Sequence, residues 1–337
     1  MKLFSRRSTA QRSRLTLSSS PSQAGAIGRG ASASRPLRRA LSRRRRKEVL
    51  AAYLFIAPGF ALFALVILYP ITRAFQISLY HWAIAPGLPS QFVGFGNYSK
   101  ALHDPIFWRG LVNSGFYMAL TVPTQILIGL AIAVLLDAKM PARTFFRTLF
   151  YLPVVTSWVV VSLLFRYLFL TDGGLFNWIL HDATHITGHN IDWLGQRWTA
   201  MVAVGILGIW KGVGWSMIIF LAALQGVPRE LKEAAAVDGA KAWRRFRAVS
   251  LPAIRPVVAF VTILLVMGGF NVFISVYLMT NGGPQDQTQV LLTWMYLQAF
   301  SFLDFGYGSA ISFMLTLIVF VLSIVQLRLF RRPSDAV

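Results

Sequence analysis

Polar side chains are rare within the apolar runs of this sequence, so the few that occur there are the first places to seek chemistry. Lys211 stands in WKGVGW, near the middle of a long apolar run. A lone ammonium in such a run needs a protein, cavity or partner contact. It suits an ion pair or carbonyl contact between subunits, or direct contact with a solute. The glycines beside it permit close helix packing. Asn271 follows Gly268 and Gly269. Its amide needs partners if buried, which it can find on a polar solute or on a second helix. Lys211 and Asn271 are the candidate translocation-path residues. Arg166, near the end of another run, can snorkel to an interface. His181, His185 and His189 in HDATHITGH have metal-like composition, but a loop cluster of this kind is a weak metal signal. They, His81 and His103 all fall between apolar runs.

Several functional classes are excluded or disfavoured. The chain has no cysteine, hence no disulfide or thiolate site. It lacks the GxxxxGK[ST] phosphate loop, so it is not expected to hydrolyse ATP by that route. No Asp or Glu interrupts the apolar runs, whereas a proton-driven carrier ordinarily keeps a membrane-embedded acid or histidine. The expectation is a non-enzyme: no catalytic residue, no metal site and no cofactor bound by the chain itself.

The elements that must position these residues are membrane helices. Apolar residues make up 55 % of the 337 residues and charged residues 13 %, against about 25 % charged in a soluble domain. About 20 apolar residues cross the hydrocarbon. Six runs qualify: Val49–Tyr69, Gly110–Leu136, Leu149–Leu170, Thr199–Leu224, Val257–Thr280 and Gly306–Leu327. None alternates like a barrel strand. Thr288–Phe300 is too short for a crossing and reads as a short helix at the outer interface or a partly re-entrant one, with Trp294 and Tyr296 at headgroup level. With the N-terminus inside, the inner segments hold 27 Lys or Arg and the outer ones 4, or 13 against 4 without residues 1–48. The positive-inside rule then places both termini in the cytoplasm.

The formal charge of +21 is concentrated, with 14 of the 33 basic residues preceding Glu48. Residues 1–48 read as a basic cytoplasmic tail, with 1–42 disordered and RRRRKE (Arg43–Glu48) facing anionic lipid rather than nucleic acid. A transit peptide and a true start further downstream are the rival readings of that tail. Residues 49–332 form the membrane domain and 333–337 a short C-terminal tail.

One charged inner loop stands out: ELKEAAAVDGAKAWRRFRAVSLPAIRP, Glu230–Pro256. Pro228 suits the first turn of a helix. Arg229 and Glu233 are spaced to pair at i and i+4, and Leu231, Ala234 and Ala235 form a small apolar patch. Gly239 ends or bends that helix. A second short helix is expected through Trp243, Phe246 and Val249 to Leu251, with Pro252 and Pro256 punctuating the chain before the fifth span. Such a helix–turn–helix can transmit force as a rigid body, or lie on lipid as an interfacial segment.

This stretch resembles the EAA signature of the membrane subunits of binding-protein-dependent ABC importers. Glu233, Ala234 and Ala235 match its triplet, Gly239 its glycine, and Val249, Leu251 and Pro252 its Ile-x-Leu-Pro end, with valine in place of isoleucine. VDGA (Val237–Ala240) resembles the form in carbohydrate-importing members. FVGFGNYSKALHDPIFWRGLVNS (Phe92–Ser114), NGGPQDQTQVLLTWMYLQAF (Asn281–Phe300) and DFGYGSAISF (Asp304–Phe313) resemble other family segments, so the likeness runs over about Val49–Arg332. The resemblance implies an all-α polytopic membrane protein with six transmembrane helices of the type I ABC importer permease fold, in a bacterial inner membrane. It implies an ATPase-coupling loop within residues 228–252, with Glu233, Ala234, Ala235, Asp238, Gly239, Leu251 and Pro252 as its site residues. The partners it implies are a second permease subunit, two copies of a cytoplasmic ABC ATPase that use ATP and Mg, an extracytoplasmic solute-binding protein, and membrane lipid. The expected cargo is a sugar or oligosaccharide. Glycerol-3-phosphate or another polyol-like solute, a secondary carrier without an ATPase, and a non-transporting membrane anchor are the alternatives.

Overall fold

The computed structural model describes residues 35–83, 89–138 and 141–330, with side chains from Glu48 onward. Of the tails assigned to residues 1–48 and 333–337, residues 1–34 and all of the second lie outside the described residues. The chain divides into two units, residues 1–66 and 67–337.

The first unit contains α1 (Arg35–Phe63) and the start of a wider π turn, Ala64–Leu68. Helix α1 reaches back to Arg35 and takes in the basic run Arg43–Lys47. From Val49 onward its apolar side chains, such as Leu54, Phe55 and Phe60, are exposed, as a lipid-facing span requires.

In the second unit the elements follow as α2 (Tyr69–Ser78), β1 (Tyr80–His81), β2 (Gln91–Phe92), α3 (Gly96–His103), α4 (Pro105–Asp137), α5 (Arg143–Val155), α6 (Trp158–Leu168), α7 (Leu175–Asn177), α8 (Arg197–Gln225), α9 (Arg229–Val237), α10 (Ala242–Arg245), α11 (Leu251–Phe270), α12 (Ile274–Met279), α13 (Leu291–Tyr296) and α14 (Phe305–Phe330). The two strands pair antiparallel over two residues each; the rest of the described structure is helical or irregular. Among the described residues five helical stretches are long and apolar enough to cross a bilayer, and the bent pair α5 and α6 makes a sixth if it is counted as one span.

Two expected spans have a different shape. The third is broken: α5 and α6 meet at a 94° bend, where Thr156 and Ser157 are extended. Pro153 carries no N–H, which weakens the end of α5. The fifth span ends early, with α11 closing at Phe270 and α12 starting at Ile274. At its other end Pro252 and Pro256 do not interrupt it, and helix runs from Ala242 through the π turn Phe246–Ser250 to Phe270. That turn places Pro252 in the first turn of α11, where a missing N–H costs little.

The core forms three apolar clusters. One joins Tyr117, Phe165, Phe169 and Leu207. A second joins Phe107, Leu291, Trp294 and Tyr307. The third joins Leu136, Phe220, Leu224 and Ile254. Helices α4 and α8 run side by side because glycines remove the side chains between them. A Cβ on Gly208 would strike the Tyr117 hydroxyl, one on Gly212 the Gln125 amide, and one on Gly129 would lie 2.9 Å from Ser216.

Helix α13 corrects an expectation. It is a short helix, but Leu291 and Trp294 are buried, so Trp294 is no headgroup anchor. Its indole Nε1 donates to Asp104 Oδ2 at 2.8 Å, and the Tyr307 hydroxyl donates to the same oxygen at 2.5 Å. A carboxylate placed to receive both donors makes burial of the indole favourable. Tyr296 is half-buried and packs on Phe273, Tyr277 and Phe300.

Candidate functional site

The α4–α8 seam, α5, α6 and α11 enclose a cavity of about 260 Å³, a little below the usual size of a small-ligand pocket (~300–1,000 Å³). Helix α4 lines it with Tyr117, Thr121 and Gln125, and α8 with Gly208, Lys211, Gly212 and Trp215. Val154 and Trp158 close one side and the Leu264–Gly269 stretch another. Residues four apart on a helix stack along one face, which is why Tyr117, Thr121 and Gln125 face the cavity together. The Tyr117 hydroxyl and Gln125 Oε1 make no hydrogen bond among the described residues, and Gln125 Nε2 makes only a long one, 3.4 Å, to Gly208 O. Polar groups with spare capacity and two indoles thus face one space, an arrangement suited to a hydroxyl-rich solute. Spacing alone held the signal: Tyr117, Thr121 and Gln125 are an i, i+4, i+8 row in a run chosen only for its hydropathy.

Lys211 lines the cavity and is 3 % exposed. Its ammonium donates to Thr156 O at 2.6 Å and Pro153 O at 2.9 Å, with longer contacts to Val154 O and Thr156 Oγ1 at 3.4 Å. These are carbonyls at the C-terminal end of α5, where a cation is electrostatically favoured. The carbonyl contact expected between subunits is therefore made within the chain, and it holds the bend of the third span. Lys211 also lies 4.9 Å from the Trp158 ring centroid. Gly214 completes the fit, since a Cβ there would collide with Phe150 O.

Asn271 sits elsewhere. It is exposed, outside the cavity lining, and donates to Met267 O at 2.8 Å. It terminates α11 instead of joining two helices, so the buried amide expected from the sequence is not found. Arg166 is exposed in the last turn of α6.

The charged loop Glu230–Pro256 forms the expected helix–turn–helix. Helix α9 carries Glu233, Ala234 and Ala235, Asp238 follows it, and Gly239 has φ +75°, a backbone region open to glycine at little cost. Glu233, Ala234, Asp238 and Gly239 are exposed, Ala235 is half-buried, and Leu231, Val237 and Trp243 are exposed apolar side chains. The expected Arg229–Glu233 pair does not appear among the described ion pairs. Lys232 makes the tie instead, reaching Asp137 Oδ2 at 3.2 Å and Leu224 O at 3.0 Å. It pins α9 to the ends of α4 and α8, the two helices that line the cavity. Leu251 and Pro252 open α11 directly behind the loop.

Comparison with known proteins agrees with this architecture. Residues 125–334 match the family described as binding-protein-dependent transport system inner membrane component. The chain is 37 % identical over 278 residues to the lactose transport system permease protein LacF of Rhizobium radiobacter, covering 81 % of this chain and 92 % of that one. It is 37 % identical over 287 residues to the arabinooligosaccharides transport system permease protein AraP of Halalkalibacterium halodurans, covering 84 % and 88 %. Its fold matches a chain of the bacterial alginate ABC transporter solved in complex with an alginate pentasaccharide-bound periplasmic protein, with a TM-score of 0.74 at 21 % identity, over 86 % of this chain and 96 % of that one. With the broken third span, the cavity and the helix–turn–helix loop, these likenesses identify a type I ABC importer permease fold, and the chain belongs to the family of binding-protein-dependent transport system inner membrane components.

Proposed function

We propose that this chain is the permease subunit of an ATP-driven importer that moves a sugar or oligosaccharide from an extracytoplasmic binding protein into the cytoplasm. The carrying observation is one continuous connection. Lys232 ties the exposed helix α9 to α4 and α8, and those two helices supply the polar wall of the cavity. Movement of α9 is therefore passed through Lys232 to the helices that wall the cavity. The curated relatives named above, a lactose and an arabinooligosaccharide permease, support a carbohydrate cargo.

In this reading both termini and the α9–α10 loop face the cytoplasm. Glu233, Ala234, Ala235, Asp238 and Gly239 seat α9 in a groove of a cytoplasmic ABC ATPase, of which two copies use ATP and Mg. Leu251 and Pro252 pass the motion to α11. A second permease subunit completes the translocation path. Nucleotide-driven closure of the ATPases moves α9, the helices turn outward, and solute enters from the binding protein; hydrolysis returns the inward state. This is a population shift between two packed arrangements. Lys211 serves by holding the α5–α6 bend, and Asn271 by closing α11.

The test is uptake by the complete assembly in liposomes, with labelled saccharides and binding protein outside and ATP on the ATPase face. The expected result is ATP-dependent accumulation that falls in Glu233→Ala while all subunits still copurify. Full uptake without ATP or ATPase would overturn the proposal in favour of a secondary carrier.

A further inference from the structure

A second cavity, of about 360 Å³, lies where the third span meets the loop that follows it. Its lining includes Tyr167 from the last turn of α6, Leu175 and Asn177 from α7, and Trp178 and Asp182 from the wider π turn Trp178–Ala183. Asn190 joins them from further along the loop. The floor is fixed by Asn177, which is buried. Its amide donates to Thr171 O at 2.9 Å and Ile191 O at 2.8 Å, and its Oδ1 accepts from Ile191 N at 3.2 Å and Trp193 Nε1 at 3.0 Å. Phe169 stacks on Phe176 with ring centroids 4.2 Å apart, and Trp193 packs against both. The cavity is therefore preformed, and its volume is that of a small-ligand site (~300–1,000 Å³).

The polar groups in its wall are acceptors without donors. Asp182 is the charged side chain of the lining. It takes part in neither described ion pair, Lys100–Asp304 or Lys232–Asp137, and no donor among the described residues reaches it. Asn190 Oδ1 is buried and also lacks a donor among the described residues. Tyr167 and Trp178 add two exposed rings to the same lining. A carboxylate, an amide oxygen and two π faces together suit a cation that carries N–H donors. Helix α6 also supplies an apolar approach. Val160, Leu163, Leu164 and Tyr167 are exposed and recur at i, i+3, i+4 and i+7, which makes one stripe of a helix. Aromatic side chains at the end of such a stripe sit at headgroup level. Arg166, exposed beside Tyr167, is in neither described ion pair and offers a positive charge next to the negative one. A free sugar has no use for the apolar stripe, and a purely anionic headgroup is repelled by Asp182.

We infer that this cavity is a headgroup site for an ethanolamine phospholipid of the surrounding membrane. The ammonium donates to the Asp182 carboxylate and the Asn190 amide oxygen, against the Tyr167 and Trp178 rings. The phosphate faces Arg166, and an acyl chain lies along Val160, Leu163 and Leu164.

The experiment reads which lipid the purified chain retains, together with the subunits that copurify with it. The assembly is placed in nanodiscs of equal parts phosphatidylethanolamine and phosphatidylglycerol with the same acyl chains. It is then released into detergent, and its bound lipids are counted by native mass spectrometry. The ethanolamine lipid is expected to be retained about tenfold over the glycerol lipid, as a charge-assisted hydrogen bond with a cation–π contact provides. The Trp178→Leu/Asp182→Asn variant should lose that preference, and Asp182→Glu should keep most of it. Both replaced side chains are exposed, and unchanged copurification of the subunits checks that the double variant folds. If it does not, Asp182→Asn alone, which removes only the charge, should lower the preference severalfold. Equal retention of the two lipids by the native assembly, or retention favouring the glycerol lipid, overturns the site. So does an ethanolamine preference that the Asp182→Asn variants leave untouched, the result expected if another subunit covers this face.

Discussion

At the scale of single residues, Lys211 shows how a charge is kept inside an apolar bundle. Its ammonium donates to Pro153 and Thr156, so it serves as the cap of a broken helix. Lys211→Met should leave those carbonyls without a donor and destabilise the assembly by about 1–3 kcal/mol. Thermal unfolding of the purified complex measures this, and an unchanged midpoint would refute the capping role. Gln125 has the opposite character, with hydrogen-bonding capacity left over toward the cavity. Gln125→Leu keeps the volume and removes the polarity. Loss of one solute hydrogen bond should raise the KM for uptake by about 2- to 12-fold, while subunit assembly stays intact. The spacing of Tyr117, Thr121 and Gln125 was visible in the sequence. The partners of Lys211 were not, because Pro153 and Thr156 lie 58 and 55 positions away in the chain.

Among the elements, α9 matters through what it is tied to. Lys232 is half-buried and bridges to Asp137 and Leu224 O. Lys232→Ala should loosen that tie and leave ATP hydrolysis running while uptake falls. Simultaneous assay of phosphate release and solute accumulation checks it, and a parallel fall of both would point to lost assembly instead. The turn after α9 depends on Gly239 at φ +75°. Gly239→Val places a β-branched residue in the left-handed region, at a cost of about 1–2 kcal/mol, and should weaken ATPase copurification. The loop's helix–turn–helix form was readable from its alanines and glycine. The continuity of helix through Pro252 was not, because the π turn before it changes the register that a sequence rule assumes.

Across the molecule, orientation is the property that the charge pattern addresses most directly. The native chain has no cysteine, so single-cysteine labelling is unambiguous. Ile186 and Val237 are both highly exposed, at 72 % and 88 %. Ile186→Cys should react with a membrane-impermeant maleimide in intact cells, and Val237→Cys only after permeabilisation. The reverse pattern would invert the topology and overturn the proposed docking of α9 on a cytoplasmic ATPase.

Hydropathy and charge counts placed the spans and marked the inner loop from sequence alone, because crossing a bilayer is decided locally, by the length of an apolar run and the charges flanking it. The EAA residues were equally legible, as a motif contained in one loop. Tertiary structure alone decided where the polar atoms find partners. Trp294 looked suited to a headgroup until Asp104, from the start of α4, accepted its indole. Asn271 looked buried until α11 ended beneath it. The third span read as one apolar run, Leu149–Leu170, and is bent where the α5 carbonyls turn to Lys211. Each outcome depends on groups distant in sequence arriving at hydrogen-bonding distance, because a buried polar atom must be satisfied by whichever partner the packing brings.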